Sequence, residues 1–278
     1  MYLCKMMLPQ LPEPLATMMQ MGMLAGRLTE LLRVRFVPGD PTYHGPISKG
    51  IEQIGLYLNG GETLKARLEA IRLMALVSDL EVIERERPDI FELLRIKLVN
   101  PQSTNYFGTR CEVAVAQWLI SRVPDIPFSY DLPGHSDFSF AHTGIECTSA
   151  VLGTRSTTLP GNKIRRRIRA KKSEPYCQPS IALVLDVTGL QQTHYEGEEG
   201  IIGVDQAQPH VLSAMKEASF GSVVIISMVA DPATEVIRRV HARFDSDNAT
   251  PQLIELLDQV YHKGPEMVYE GLWGLNKP

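Results

Sequence analysis

The stretch GHSDFSFAHTGIECTSAVL, residues 134–152, is the part of the sequence that most constrains the fold. Two runs rich in β-branched and aromatic residues flank the short segment Ala141–Gly144, which predicts two antiparallel strands and a tight turn. If the loop has an even number of residues, cross-strand partners have numbers that sum to an odd value, and residues of opposite parity share a face. The apolar face would then hold Phe138, Phe140, Ile145 and Cys147, and the polar face Asp137, Ser139, Glu146 and Thr148.

Length and composition indicate a globular protein. The chain has 278 residues, 44% of them hydrophobic and 22% charged, enough for one large domain or two ordinary ones. Its four cysteines are widely spaced and form no CxxC pair, which predicts neither a zinc knuckle nor a disulfide framework and favours a reducing compartment. We find no secretory signal pattern and no run of eighteen apolar residues. We therefore expect a cytoplasmic protein without a membrane span.

The order of predicted elements divides the chain in two. Residues 1–100 show helical periodicity, with breaks at Asn59–Gly61 and near Pro88. Residues 101–278 alternate between helical periodicity and the two-residue periodicity of strands. The predicted order is helix, three strands, helix, strand, helix, strand and a last amphipathic helix. This pattern predicts an α/β fold with one mixed sheet (α+β) behind an all-helical N-terminal region. The methionine-rich first helix is interpreted as core filling, and it could also supply the interface of a homodimer.

A basic segment follows the predicted hairpin. Between Cys147 and Ser173 there is no Asp or Glu, while eight residues are Lys or Arg. Beside a pair of carboxylates, such a segment is typical of a surface that binds a polyanion. A solvated cationic helix face is the open alternative. The candidate nucleic-acid-binding residues are Lys163, Arg165, Arg166, Arg167, Arg169 and Lys172.

Four segments together carry a resemblance to a known family. FGTRCEVAVAQWL, HSDFSF, IECTSA and IRRRIRAKK, in this order, resemble the PD-(D/E)xK, or restriction-endonuclease-like, nuclease superfamily, over roughly residues 105–185. The resemblance implies an αβββαβ core in residues 101–278 and hydrolysis of phosphodiester bonds, expected here for DNA. It assigns Glu112 to the helical acid and Asp137 and Glu146 to the metal-binding positions. It also implies that the backbone carbonyl of Cys147 is a metal ligand, with Glu112 as a further candidate.

The chemistry of phosphodiester hydrolysis explains why these residue types are needed. Mg²⁺, for which Mn²⁺ can substitute, prefers carboxylate, carbonyl and water oxygens, and it neutralises charge that develops on the phosphate. Each acid also has an alternative interpretation. Thr109 and Glu112 fit a helix capping box, and Asp137 fits an acceptor in a turn. Glu146 requires a positive partner if it is buried, either a metal or an arginine.

The sequence departs from the family pattern at the motif lysine, because Thr148 stands in its place. Ile164, Ile168 and Lys171 follow at i, i+4 and i+7, so two isoleucines that face the sheet would bring Lys171 inward. Lys172 is the neighbouring alternative. Three interpretations remain open: a nuclease whose lysine has migrated to this helix, an inactive relative that binds nucleic acid or protein, and an unrelated α/β protein whose acids pair with the basic helix.

Overall fold

A computed structural model of the chain describes residues 13–34, 46–58, 63–100, 106–151, 159–190, 204–231, 236–261 and 263–274. Cys4, Arg155 and the acidic segment His194–Gly200 lie outside these residues. The chain divides into two units. One consists of Met1–Tyr106 with Ala230–Arg238 and Leu272–Pro278, and the other of Phe107–Val229 with Arg239–Gly271.

The first unit contains four helices in its described N-terminal part, at the places that the helical periodicity predicts. They are α1 (Glu13–Leu32), α2 (Pro46–Leu58), α3 (Thr63–Glu86) and α4 (Pro88–Val99). Pro88 ends α3 and opens α4. Proline has no backbone N–H to donate within a helix, but it fits the first helical position, where that N–H has no partner inside the helix. The helices bury one leucine-rich core, which includes Leu28, Leu31, Leu32, Leu80 and Leu94.

The mixed α/β class expected for residues 101–278 is confirmed. The elements are α5 (Tyr106–Arg122), β1 (Ser129–Tyr130), β2 (Phe138–Ser139), β3 (Gly144–Ser149), α6 (Pro160–Ala170), β4 (Ile181–Asp186), α7 (Val204–Met215), β5 (Ser222–Asp231), β6 (Val236–Asp245), α8 (Pro251–Val260) and β7 (Gly264–Gly274). Strands β6 and β7 are additional to those that the sequence predicts. In the described part of the chain no helix is long and apolar enough to cross a membrane.

The strands form one seven-stranded sheet in the order β1 to β7 among the described residues. Strands β1, β2 and β3 pair antiparallel, while β3, β4 and β5 pair parallel. In the hairpin Phe138 pairs with Ile145 and Ser139 with Gly144, which confirms the predicted parity. Gly144 is required there, since a Cβ atom would lie 2.2 Å from the hydroxyl oxygen of Ser136.

Strand β3 is covered on both faces. Glu146 and Thr148 pair with Leu183 and Leu185 of β4, and these leucines belong to the core that contains Ile164 and Ile168 of α6. The carboxylate face of the hairpin is therefore the face under α6 and α7. Cys147, the next residue along the strand, points to the other face, where its thiol meets that of Cys111 on α5 and Cys111 Sγ approaches the Val184 carbonyl at 3.8 Å.

Candidate active site

Helix α6 brings a lysine to Glu146. Ile164 and Ile168 are fully buried, and Lys171 continues their face because its backbone stays helical at the C-cap (φ −92°, ψ −3°). Lys171 Nζ lies 2.8 Å from Glu146 Oε1, and the Glu146 residue is only 5% exposed. The positive group that contacts this buried carboxylate is thus Lys171, which points inward as the spacing of the two isoleucines predicts. Lys172, the alternative, is exposed.

Lys171 has a second contact, with Tyr176 in the turn that follows α6. Its ammonium donates to the Tyr176 hydroxyl at 3.0 Å and lies 5.4 Å from the centre of the ring. Burial lowers the pKa of Lys171, but the hydrogen bonds to Glu146 and Tyr176 outweigh burial, and the pKa rises above its usual value. The lysine is therefore firmly cationic. Sequence analysis missed Tyr176, since a tyrosine in a Pro-containing turn carries no periodic signal.

Asp137 sits where the pairing of β2 with β3 ends. Its Oδ2 accepts the backbone N–H of Cys147 at 2.6 Å, in the place of a strand carbonyl. Extending the register by one residue puts Asp137 opposite Glu146, so the two residues share one face of the hairpin. In an extended strand the N–H and C=O of one residue point to the same edge. The carbonyl of Cys147 therefore points toward the edge that Asp137 occupies, where the resemblance requires it.

Glu112 lies on the α5 side of the sheet, away from Lys171. The capping-box interpretation is wrong, because α5 begins at Tyr106 and Thr109 is already inside the helix. The buried Glu112 carboxylate instead accepts a hydrogen bond from the Tyr130 hydroxyl. Burial and the charges of Glu112 and Asp137 raise the pKa of Tyr130, so the phenol stays protonated as a donor. Glu112 thus anchors β1 at the base of the hairpin and lies in the electrostatic neighbourhood of Asp137.

The basic segment is less exposed than the sequence suggests. Among the six candidate nucleic-acid-binding residues, Arg166 and Lys172 are exposed, while Lys163, Arg165, Arg167 and Arg169 are partly buried. Helical geometry explains the difference, because Arg165 and Arg169 flank the buried isoleucines. Arg169 pairs with Glu217, and Arg167 Nε donates to the Ser149 carbonyl at 2.8 Å. The exposed cationic surface therefore includes two of the six candidate residues, Arg166 and Lys172.

The donor set can be compared with what a metal ion requires. Within the described residues, no group of three or more His, Cys, Asp or Glu side chains is arranged to hold a metal. The set at the end of the hairpin consists of Asp137, Glu146 and the Cys147 carbonyl. Mg²⁺ commonly binds through one or two carboxylates and keeps several waters, so this smaller set fits it. Asp137 and Glu146 on one face of the hairpin carry two negative charges against the single positive charge of Lys171, and a hard cation would offset the difference.

Comparison of the chain with protein-family models, with curated proteins and with solved structures gives no match. The resemblance to the restriction-endonuclease-like superfamily therefore depends on the residues and geometry described above.

Proposed function

We propose that the chain is a metal-dependent nuclease that hydrolyses DNA, with a restriction-endonuclease-like αβββαβ core formed by α5, β1, β2, β3, α6 and β4. The observation that carries the proposal is the contact of Lys171 Nζ with Glu146 at 2.8 Å. The register extended by one residue puts Asp137 opposite Glu146. A lysine from α6 supplies the ammonium that Thr148 lacks. Two carboxylates and an ammonium are the groups that metal-assisted phosphodiester hydrolysis needs.

Each residue has a role that follows from its place. Asp137, Glu146 and the Cys147 carbonyl would hold Mg²⁺, for which Mn²⁺ can substitute. Bound there, the ion would neutralise charge on the phosphate oxygens and lower the pKa of the attacking water. Lys171 stays protonated at neutral pH and donates hydrogen bonds to that water or to a phosphate oxygen. Glu112 is a positioning residue, since it acts on the hairpin through Tyr130.

The exposed cations favour a nucleic acid as substrate. Arg166 lies on α6 and Lys172 directly follows Lys171, and both side chains reach solvent. Lys and Arg side chains in such positions contact phosphates without reading sequence. These contacts would orient the backbone over the site.

The second candidate function is nucleic-acid binding or protein interaction without cleavage. One observation favours it: Thr148, which replaces the motif lysine, is buried at 4% exposure, and Lys171 already neutralises Glu146. A carboxylate that keeps its ammonium partner does not need a metal. The two candidates differ in whether a divalent ion displaces this contact.

A cleavage assay tests the proposal. Supercoiled plasmid and single-stranded DNA are incubated with the purified protein in Mg²⁺, Mn²⁺ or EDTA, together with Glu146→Gln and Glu174→Gln. Glu174 is an exposed acid in the same turn region as Lys171, so its variant controls for the loss of one negative charge, while the Glu146→Gln preparation controls for contaminating nucleases. We expect metal-dependent cleavage by the wild type and Glu174→Gln, and none by Glu146→Gln. DNA binding with no cleavage in either metal would overturn the nuclease proposal in favour of the second candidate.

A further inference from the structure

We infer that Tyr176 is a positioning residue that keeps the Lys171 ammonium at the active site when Glu146 binds a metal ion. The inference rests on the proposed function, because it assigns a task to the ion-pair partner of a metal ligand. It goes beyond that function in naming a residue outside the family's motif.

The geometry gives Tyr176 two neighbours at the site. Its hydroxyl accepts from Lys171 Nζ at 3.0 Å, while the same ammonium donates to Glu146 at 2.8 Å. Burial and the Glu146 charge raise the pKa of Tyr176, although its hydrogen bond with Lys171 opposes this effect. The phenol is thus a neutral acceptor beside an anionic one. These two contacts use two of the three donors of the ammonium and leave one for a substrate oxygen or water.

The turn that carries Tyr176 is well anchored. The Glu174 and Cys177 amides donate to the carbonyls of Lys171 and Glu174 at 3.2 and 2.9 Å, and Gln178 donates to the Tyr176 carbonyl at 2.9 Å. The Tyr176 ring packs against the core cluster under α6 and α7. Backbone and ring together fix the position of the hydroxyl.

Metal binding creates the need for this second acceptor. A divalent cation at Glu146 competes with Lys171 for the same carboxylate and repels the ammonium. A lysine side chain has a flexible four-carbon stem and a strongly hydrated head, so after losing Glu146 it would turn to solvent. The Tyr176 hydroxyl carries no charge that a metal ion would compete for. It would keep the ammonium at the site when a metal binds Glu146, in the position from which Lys171 could donate to substrate.

Tyr176→Phe tests the inference, because it removes the hydroxyl and keeps the ring. We expect kcat for DNA cleavage in Mg²⁺ to fall about 3- to 10-fold, the effect of one hydrogen bond, with little change in KM. In the Lys171→Ala background the same change should have no further effect on kcat, since the two residues act as one unit. Cys177→Ala, which alters the same turn without touching the ion pair, is the matched control and should retain wild-type kcat. If Tyr176→Phe lowers kcat by the same factor in the wild-type and Lys171→Ala backgrounds, the inference is overturned.

A measurement without substrate separates this inference from the proposed function. The ¹⁵N-labelled ammonium of Lys171 should give a resolved, slowly exchanging NMR signal in the wild type, with and without Mg²⁺, assigned by its absence in Lys171→Ala. With Mg²⁺ present, Tyr176→Phe should lose this signal and Cys177→Ala should keep it. If the wild type cleaves no DNA in either metal, the proposed function fails, and this signal still decides the placement of Lys171. A Tyr176→Phe signal unchanged by Mg²⁺ would overturn the inference.

Discussion

The ion pair between α6 and β3 should make a measurable contribution to stability. Lys171→Met keeps an unbranched side chain of similar length and leaves Glu146 buried, at 5% exposure, without its cation. Hydrogen bonds to charged groups contribute about 1.5–3 kcal/mol, and breaking a fully buried pair costs about 3–5 kcal/mol. The Lys171 side chain is 24% exposed, so we expect a loss of about 2–3 kcal/mol. For a domain of about 150–250 residues this loss lowers the Tm by roughly 4–12 °C.

Denaturant unfolding of a double-mutant cycle measures this contribution. The four proteins are wild type, Lys171→Met, Glu146→Gln and the double variant, compared at neutral pH without metal. The contacts at Lys171 raise its pKa in the folded protein. The ion pair therefore contributes its full stabilisation at pH values below the lysine pKa of the unfolded chain, about 10.4, and this stabilisation is lost as pH rises through the folded-state pKa. The coupling free energy should therefore be at least about 1 kcal/mol at pH 7. Additive effects of the two substitutions would refute the argument.

Magnesium adds a second measurement to the same cycle. If Glu146 binds the ion, a metal should replace the missing ammonium and stabilise Lys171→Met more than the wild type, by mass action on the folded state. Glu146→Gln should lose this response. Equal, negligible effects of Mg²⁺ on all four proteins would show that the carboxylates hold no metal, while the coupling itself would stand.

Three further predictions concern other parts of the structure. Arg243 is fully buried and paired with two aspartates, so Arg243→Met should lower the free energy of unfolding by about 3–5 kcal/mol, as measured by chemical denaturation. Arg243→Lys should recover little of this loss, because lysine lacks the planar fork of the guanidinium. Burial raises the pKa values of the Cys111 and Cys147 thiols, so as pH rises these thiols deprotonate first in the unfolded chain. Above about pH 8.5, each thiol should lower the free energy of unfolding by about 1.4 kcal/mol for every pH unit. Cys147→Ala should make this pH dependence shallower. Arg166→Ala and Lys172→Ala should each weaken DNA binding, and each should reduce the slope of log affinity against log salt concentration by about one. Slopes equal to that of the wild type would contradict contact of these side chains with phosphates.

The sequence predicts the hairpin and its register well because both follow from short-range rules. The parity of Phe138 and Ile145 follows from the period of a strand, and the observed pairing agrees with it. The inward direction of Lys171 follows in the same way from the spacing of two isoleucines on α6, both fully buried. Periodicity assigns a face to each side chain, and the chemistry of the face then follows.

The elements that sequence analysis missed depend on contacts between distant residues. Strand β6 has the segment VIRRVHARFD, in which Arg239, His241 and Arg243 alternate with smaller residues, and such a pattern is typical of an exposed edge. All three side chains are instead buried: Arg243 pairs with aspartates, and Arg239 and His241 contact the Trp118 ring. No local pattern shows that Trp118, on α5, would lie there.

The place of Lys171 explains how the site tolerates Thr148. Lys171 is the C-cap of α6, where the unpaired carbonyls of a helix carry partial negative charge and favour a cation. Thr148 lies inside β3, where a charged head would be desolvated within a strand that is covered on both faces. The ammonium of Lys171, at the end of the helix, reaches Glu146 and remains partly in water. Its desolvation therefore costs less free energy than that of a lysine ammonium on the strand. In the proposed nuclease, the same partial exposure would let Lys171 exchange Glu146 for a substrate oxygen more readily than a lysine on the strand.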